Sequence, residues 1–213
     1  MRVGREPVVR AGLKLLDAEG LDGLTLRAIA AELGVKAPTL YWRFKNKQDL
    51  VDEMATQVLA DWTKAFKTKA KSASWQACAL AYGSGLRGAL LHYRDGARMV
   101  AGSRLTDTRL YAAMERVLEV FQAAGILPSD AAMCMTTIYS YVIGFTIEQQ
   151  AVVSPQGERD PRYALSEREA RVDAERYPLS RSIGADVFDN YDTRFERGLR
   201  IICLLYTSPS PRD

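Results

Sequence analysis

A short stretch between residues 38 and 47 gathers side chains that are suited to contacts with nucleic acid. Thr39 and Tyr41 carry hydroxyl groups that can reach phosphate oxygens, and the guanidinium of Arg43 can form paired hydrogen bonds with guanine. Trp42 lies between Tyr41 and Arg43, and an exposed tryptophan on a short helix is unfavourable unless a partner covers it. These residues predict a DNA contact. The alternative is that Tyr41 and Trp42 are buried between helices.

The flanking residues indicate which elements position this stretch. Val8 to Glu19 has apolar residues at helical spacing, and Gly20 can end that helix. Thr25 is suited to cap a second helix that Gly34 ends, and a tight turn then leads into a short third helix, Pro38 to Phe44. Helix, glycine-containing turn and helix form a helix-turn-helix, whose second helix enters the major groove of DNA.

A fourth and longer helix is expected from Lys47 to about Phe66. Asn46 can cap this helix, and Asp49 stands at its third position. Lys47 then lies at the helix N-terminus, where its charge and the free backbone N–H groups would jointly attract a phosphate.

The charge of the chain is unevenly distributed. Residues 1–47 carry nine Lys and Arg against five Asp and Glu, whereas the rest of the chain carries 20 against 21. The positive excess therefore lies at the N-terminus, where a polyanion could be met. The alternative is an ordinary solvated surface, since an excess of this size is common.

The composition excludes several classes of protein. The 213 residues are 47% hydrophobic and 26% charged, which is typical of a globular chain. The widely spaced Cys78, Cys134 and Cys203, with His92 as the one histidine, exclude a disulfide scaffold and a Cys/His zinc site. We expect a cytoplasmic protein without metal or cofactor. A single histidine and no Gly-x-Ser-x-Gly motif argue against an enzyme.

Apolar periodicity divides the remaining chain into helices. A polar linker at 67–74 precedes helical stretches at Trp75–Tyr93, Thr106–Ala124, Ser129–Val153 and Asp186–Leu205. Residues 131–147 hold no charge, at the short limit for a membrane span, but their Thr, Ser and Tyr residues favour a buried bundle helix. Ser154 to Pro178 predicts a mobile segment except for a helix at Ser166–Arg176.

The last residues, Cys203 to Asp213, break the helical pattern and contain two prolines. They resemble the in-frame translation of a transposase adapter used in DNA sequencing, joined to a truncated reading frame. We therefore expect a non-native tail at 203–213. The alternative is a genuine disordered tail.

The stretch Gly23–Lys47, GLTLRAIAAELGVKAPTLYWRFKNK, resembles the DNA-binding domain of the TetR family of transcriptional regulators. The run Arg87–Arg104, together with SWQ at 74–76 and GFTIE at 144–148, resembles the regulatory domain of the tetracycline-binding members. The resemblance implies an all-α homodimer that represses transcription and leaves its operator when a small molecule binds. It also implies a helix-turn-helix domain at 1–46 and a ligand-binding and dimerisation domain at 47–205, with 47–66 as the connecting helix.

The resemblance carries DNA-contact positions onto individual residues of this chain. The matching positions are Arg27, Pro38, Thr39, Tyr41, Trp42 and Lys47. Two neighbours depart from the tetracycline-binding members, because Ala37 replaces a base-reading glutamine and Arg43 replaces a histidine. The operator sequence is therefore expected to differ.

Ligand positions follow from the same resemblance, in which the drug enters as a magnesium chelate. Val100 stands where these relatives have the metal-binding histidine, and Thr63 and Tyr82 stand where a histidine and an asparagine grip the drug. Leu86, Leu105 and Val117 replace a phenylalanine, a proline and a glutamine. Ser103, Arg104 and Glu148 are polar, as the relatives are at these positions. In the relatives, the residue at the position of Glu148 comes from the partner subunit.

The expected inducer is therefore not magnesium-tetracycline, because Val100 cannot coordinate a metal. We expect a more apolar pocket in which Arg104, Tyr82 and Glu148 are the few polar groups. A structural ion pair of Arg104 and Glu148 that closes the dimer is the alternative. A family member that activates transcription or responds to a protein also stays open, as does a ligand-binding module without DNA binding.

Overall fold

The computed structural model describes residues 4–66, 74–105 and 107–207, and these residues form an all-α protein, as the sequence predicts. The N-terminal unit comprises α1 (Arg5–Gly23), α2 (Leu26–Glu32) and α3 (Pro38–Tyr41). The α-helices of the larger unit are α4 (Lys47–Ala65), α5 (Trp75–Leu91), α6 (Gly96–Val100), α7 (Arg109–Ala123), α8 (Pro128–Val152), α9 (Leu165–Arg171), α10 (Pro178–Ser182), α11 (Gly184–Phe188) and α12 (Tyr191–Thr207). A short 3-10 helix covers Pro161–Tyr163.

The N-terminal unit is a helix-turn-helix around a small apolar core. The fully buried Ile29, Leu40 and Phe44 hold α2 and α3 together against α1 and the start of α4. The Thr25 hydroxyl caps α2 by accepting a hydrogen bond from the N–H of Ala28 at 3.1 Å. The N-terminal pattern thus gives both the elements and one of their caps.

Two boundaries in this unit differ from the sequence-based expectation. Gly20 has a φ of 72° and interrupts the helical backbone, but helical turns resume and α1 extends to Gly23. The third helix ends at Tyr41 rather than at Phe44. The N–H groups of Arg43 and Phe44 both donate to the Leu40 carbonyl, so the chain turns there. This turn brings Asn46 into the extended conformation from which it caps α4.

The larger unit is built around α5 and α8, which pack against each other and against α4, α6, α7 and α12. Helix α8 buries Ala131, Met135, Ile138 and Val142 in the core, as expected for a bundle helix. Within the described ranges no single helix has the length and apolarity of a membrane span. Helices α7 and α8 reach that composition only as a pair, which is bent by 120°.

The segment between α8 and α12 is more regular than the sequence predicts. Helix α9 is shorter than the expected helix Ser166–Arg176, and α10 was not predicted. The expected helix Asp186–Leu205 is broken at Asp189 and Asn190, so its first residues lie in α11 and the rest in α12. Arginines hold these short helices by donating to backbone carbonyls: Arg168 to Ser180 at 2.6 Å, and Arg181 to Glu169. Because such contacts join residues 12 positions apart, local periodicity does not reveal them.

The expectation that the helical pattern breaks at Cys203 is wrong, because α12 continues to Thr207. Phe195, Leu199 and Cys203 recur at intervals of four residues and are all buried, so Cys203 continues the core-facing stripe of the helix. The remainder of the expected tail, residues 208–213, lies outside the described residues.

Candidate functional site

The surface of the helix-turn-helix unit presents the aromatic residues that the sequence singles out. Tyr41 is 50% exposed and Trp42 is 91% exposed, whereas Leu40 and Phe44 are buried on the opposite side. The alternative that Tyr41 and Trp42 are buried between helices is therefore excluded. An exposed tryptophan at the end of a helix held down by two buried side chains is suited to contact with another molecule.

The helix-turn-helix unit also presents exposed cations. Arg27 and Arg43 are exposed, and no acidic side chain in the described ranges forms an ion pair with either. Thr39 is half-buried, Pro38 begins α3, and Ala37 precedes it at the end of the turn. The structure thus brings seven of the eight predicted DNA contacts, Arg27, Ala37, Pro38, Thr39, Tyr41, Trp42 and Arg43, onto α2, α3 and the loops that flank α3.

Lys47, the eighth predicted contact, is half-buried at the start of α4. Its ammonium group donates a hydrogen bond to the carbonyl of Leu21 at 2.5 Å and so ties α4 to the end of α1. Asn46 caps α4 by accepting from the N–H of Asp49 at 2.9 Å, and the Asp49 carboxylate accepts in turn from the N–H of Lys45 at 2.9 Å. This pair of bonds fixes the junction between α3 and α4.

Helix α6 and the loop before it join the end of α1 to the larger unit. The backbone N–H of Arg94 donates to Asp17 at 2.9 Å, and the Arg94 guanidinium donates to the Ala18 carbonyl at 2.9 Å. Arg98 forms an ion pair with Asp22 at 3.2 Å. A displacement of α6 would therefore also displace the end of α1.

An apolar cavity of about 230 Å³ lies between α4, α5, α7 and α8. Its lining includes five of the predicted ligand residues, namely Thr63, Tyr82, Leu86, Leu105 and Val117. The sequence did not single out the other lining residues, Leu59, Trp62, Phe66, Leu110, Ala113, Met114, Met135, Thr136 and Tyr139. The spacing of Trp62 and Phe66 by four residues is the signal that could have indicated an aromatic wall at the end of α4.

The other four predicted ligand residues lie outside this lining. Val100 is 1% exposed and belongs to the core, and the Ser103 hydroxyl donates to the Met99 carbonyl at 2.6 Å. Arg104 and Glu148 are both exposed and form no ion pair with each other in the described chain. The structure of one chain thus brings Tyr82 to the cavity, but not the two charged groups expected beside it.

The tyrosines of the cavity are held neutral by their surroundings. Burial raises the pKa of Tyr82 to about 12, with a smaller contribution from Tyr139. Burial also raises the pKa of Tyr139. Thr63 is buried, and its hydroxyl donates to the Ala60 carbonyl at 2.9 Å.

Among the described residues, the cavity lining holds no Asp, Glu, His or Cys side chain that could bind a metal ion. Val100 occupies the position that the sequence resemblance assigns to a metal ligand, and its side chain has no donor atom. Over the part of the chain that the structure describes, no three His, Cys, Asp or Glu side chains come together as a metal site would require.

Comparison with known proteins assigns both units. Residues 8–54 match the family described as bacterial regulatory proteins, tetR family, and residues 67–203 match the tetracyclin repressor-like C-terminal domain. The chain belongs to the TetR family. It is therefore a transcriptional regulator with a DNA-binding helix-turn-helix and a ligand-binding domain, and this family is one of regulators rather than enzymes.

Relatives match nearly the whole TetR-family chain. The class A tetracycline repressor protein from transposon 1721 of Escherichia coli is 36% identical, over 92% of this chain and 86% of the relative. A possible TetR family transcriptional regulator from Streptomyces coelicolor A3(2) superposes with a TM-score of 0.80 at 31% identity, over 93% of this chain and 96% of the other. A TetR variant from Acinetobacter baumannii AYE in complex with minocycline has a TM-score of 0.71 at 28% identity, over 97% and 99% of the two chains.

Proposed function

We propose that this protein is a repressor that binds a palindromic operator as a homodimer and leaves it when a small molecule enters the cavity. The observation that carries the proposal is the exposure of Tyr41 at the end of α3 and of Trp42 and Arg43 directly after it, beside buried Leu40 and Phe44. Among the described residues, no acidic side chain pairs with Arg43. A rigid helix with exposed aromatic and cationic side chains supplies both phosphate and base contacts.

The DNA contacts divide by chemistry. Thr39, Tyr41 and Lys47 position the protein on the phosphate backbone, because hydroxyl and ammonium groups donate to phosphate oxygens. Arg43 reads a base, because a guanidinium fits the two acceptors of guanine in the major groove. Arg27, Pro38 and Trp42 support the same surface, and Ala37 leaves room where a longer base-reading side chain stands in relatives.

The inducer is a molecule other than magnesium-tetracycline. Relatives are tetracycline repressors, and one related structure holds minocycline. This chain departs from them where the metal is bound, because buried Val100 cannot act as a ligand. The cavity is instead apolar, with Thr63, Tyr82 and the aliphatic Leu86, Leu105 and Val117 in its wall. Ser103, Arg104 and Glu148 act at its mouth or at the subunit boundary.

The signal passes from the cavity to the DNA surface through α4 and α6. Thr63 lines the cavity near one end of α4, and Lys47 at the other end binds the Leu21 carbonyl of α1. Arg94, in the loop before α6, and Arg98 of α6 bind the same end of α1. A ligand that shifts α4 or α6 therefore changes the distance between the two α3 helices of a dimer.

A homodimer is supported by the outer faces of α8 and α12. Met133 of α8 is 67% exposed and Ile201 of α12 is 49% exposed, and exposed apolar side chains on two neighbouring helices favour pairing with a second copy. Residues 1–46 would then form the DNA-binding domain, and 47–205 the ligand-binding and dimerisation domain.

Selection of bound duplexes from a random DNA pool, repeated at two salt concentrations, tests the proposal. An inverted repeat whose half-sites lie about one helical turn apart, roughly 34–36 Å, is expected for a dimer that places two α3 helices in successive major grooves. Binding that is sensitive to salt but blind to sequence would contradict operator recognition.

A further inference from the structure

The lining of the cavity restricts the charge that an occupant can carry. The described part of the chain contributes no Asp, Glu, Lys, Arg or His side chain to this lining. An ionised molecule would lose its hydration there without gaining a counter-charge, which is strongly unfavourable. The cavity therefore selects an uncharged occupant.

The hydroxyl groups of the cavity differ in what they can offer a ligand. The Thr63 hydroxyl already donates to the Ala60 carbonyl. Tyr82 and Tyr139 lie close enough to interact electrostatically, and neither hydroxyl has a hydrogen-bond partner among the described residues. Because both stay protonated, each can donate a hydrogen bond to an acceptor in the cavity. An acceptor oxygen on the occupant would supply what both tyrosines lack.

The walls favour a flat ring. The Trp62 ring centroid lies 5.2 Å from that of Tyr82 at an interplanar angle of 69°, and 5.6 Å from that of Phe66. The indole Nε1 atom lies close to Gly85, where an added Cβ would come within 2.9 Å of it. Met114 and Met135 line the same cavity. Aromatic rings and methionine sulfurs both interact favourably with an aromatic ring.

The size of the cavity limits the occupant further. Its volume of about 230 Å³ is smaller than the roughly 300 Å³ at which drug-sized sites begin. Leu105 and Met114 at its rim are 39% and 38% exposed, so one side is open. A molecule of about two to three fused rings matches this space.

We propose that the inducer is an uncharged, flat aromatic ketone whose carbonyl oxygen accepts hydrogen bonds from Tyr82 and Tyr139 while its rings pack against Trp62 and Phe66. This inference rests on the proposed function, since it assigns a ligand class to the same cavity.

Equilibrium dialysis of the full chain against three related probes tests this ligand class. The probes are 9-fluorenone, fluorene, which has the same rings without the acceptor, and 9-fluorenone-2-carboxylate, which adds a charge. Fluorenone is expected to bind about tenfold more tightly than fluorene, because only the ketone satisfies the tyrosine hydroxyls. It is expected to bind about 100-fold more tightly than the carboxylate.

Variants assign the preference to the two hydroxyls. The double substitution Tyr82→Phe and Tyr139→Phe is expected to reduce the preference for fluorenone over fluorene to less than about twofold, with fluorene affinity unchanged. Tyr111→Phe is the matched control, because Tyr111 is 73% exposed on α7 and lies outside the cavity lining. It is expected to keep the full preference.

Four results would overturn the inference: equal binding of fluorene and fluorenone, tighter binding of the carboxylate, a preference that survives the double substitution, or no fluorenone binding up to its solubility. An independent operator assay separates this outcome from failure of the proposed function. If the protein prefers fluorenone over fluorene through its two tyrosines but selects no operator, only the proposed repressor function is contradicted. Release from the operator only by charged compounds would support the repressor function and contradict an uncharged ketone as the inducer.

Discussion

The carboxylate of Asp95 accepts a hydrogen bond from the backbone N–H of Leu21 at 2.9 Å, across 74 positions of sequence. Asp95 adopts a left-handed conformation with a φ of 57°, and its second oxygen lies 3.3 Å from Arg98. This contact joins the loop before α6, in the larger unit, to the end of α1 in the helix-turn-helix unit. Under the proposed function, we expect a ligand-dependent movement of α6 to reach the DNA-binding unit through this contact.

Removal of this contact should weaken the coupling between ligand binding and release from the operator. Asp95→Gly keeps the left-handed backbone but deletes the carboxylate, so operator affinity should change less than about threefold while the inducer concentration for half-release rises about tenfold, within the usual range of coupling energies. Fluorescence anisotropy of labelled operator measures both quantities. Asn190→Gly, at the other described non-glycine residue with positive φ, is the matched control. An unchanged release curve for Asp95→Gly would contradict coupling through this contact.

The close approach of Gly96 to Leu90 should make this glycine indispensable. A Cβ at residue 96 would lie 2.1 Å from the Leu90 carbonyl oxygen, whereas a Cβ at Gly88 meets nothing within 4 Å. Gly96→Ala should therefore lower the free energy of unfolding by more than about 2 kcal/mol. Gly88→Ala, in the last turn of α5, should raise it by about 0.5–1 kcal/mol. Urea unfolding of both variants checks the pair, and equal effects would refute the steric argument.

Arg43 should determine one position of the operator. Arg43→Ala should relax the preference for guanine at that position by about 1–3 kcal/mol, because a paired contact is lost. Lys45→Ala is the control, since the neighbouring exposed cation should contribute to affinity for any sequence. Binding to a panel of single-base operator variants separates the two. Equal loss on every operator would assign Arg43 to a phosphate.

Burial of Tyr82 should make stability depend on alkaline pH. The folded protein holds the pKa of this phenol at about 12, above its ordinary value of 10.0, so the folded state retains a proton that the unfolded chain releases. The resulting stabilisation is complete below about pH 10 and is lost as the pH rises towards 12. Between about pH 9 and about pH 11, the wild type should lose at least about 0.5 kcal/mol more unfolding free energy than Tyr82→Phe. Parallel losses in urea titrations would contradict this burial effect.

The parts of the fold that were predictable are those decided by neighbouring residues. Thr25 and Asn46 cap helices because their side chains bond to N–H groups three positions later, and Leu40 and Phe44 face the core because they are four positions apart. The early end of α3 was not predictable, because it depends on two N–H groups that share the Leu40 carbonyl.

Only part of the cavity lining could be predicted from the sequence. The resemblance pointed to Thr63 and Tyr82, and both line the cavity. An apolar pattern, however, does not distinguish side chains that face a cavity from those that face the core. Trp62 and Tyr139 approach Tyr82 only when α4, α5 and α8 are packed together. Helix α6 was missed because its five residues are too few to show a period.

The central claim, that a ligand in this cavity releases the protein from DNA, is tested most directly by filling the cavity. Ala113 lines it and is 7% exposed, so Ala113→Phe places a ring in the ligand's space without touching the DNA surface. Operator release is measured by anisotropy, with a compound that releases the wild type in a screen. We predict that the filled variant binds operator as tightly as the wild type but stays bound when the compound is added. Release of both proteins at the same concentration would contradict the claim.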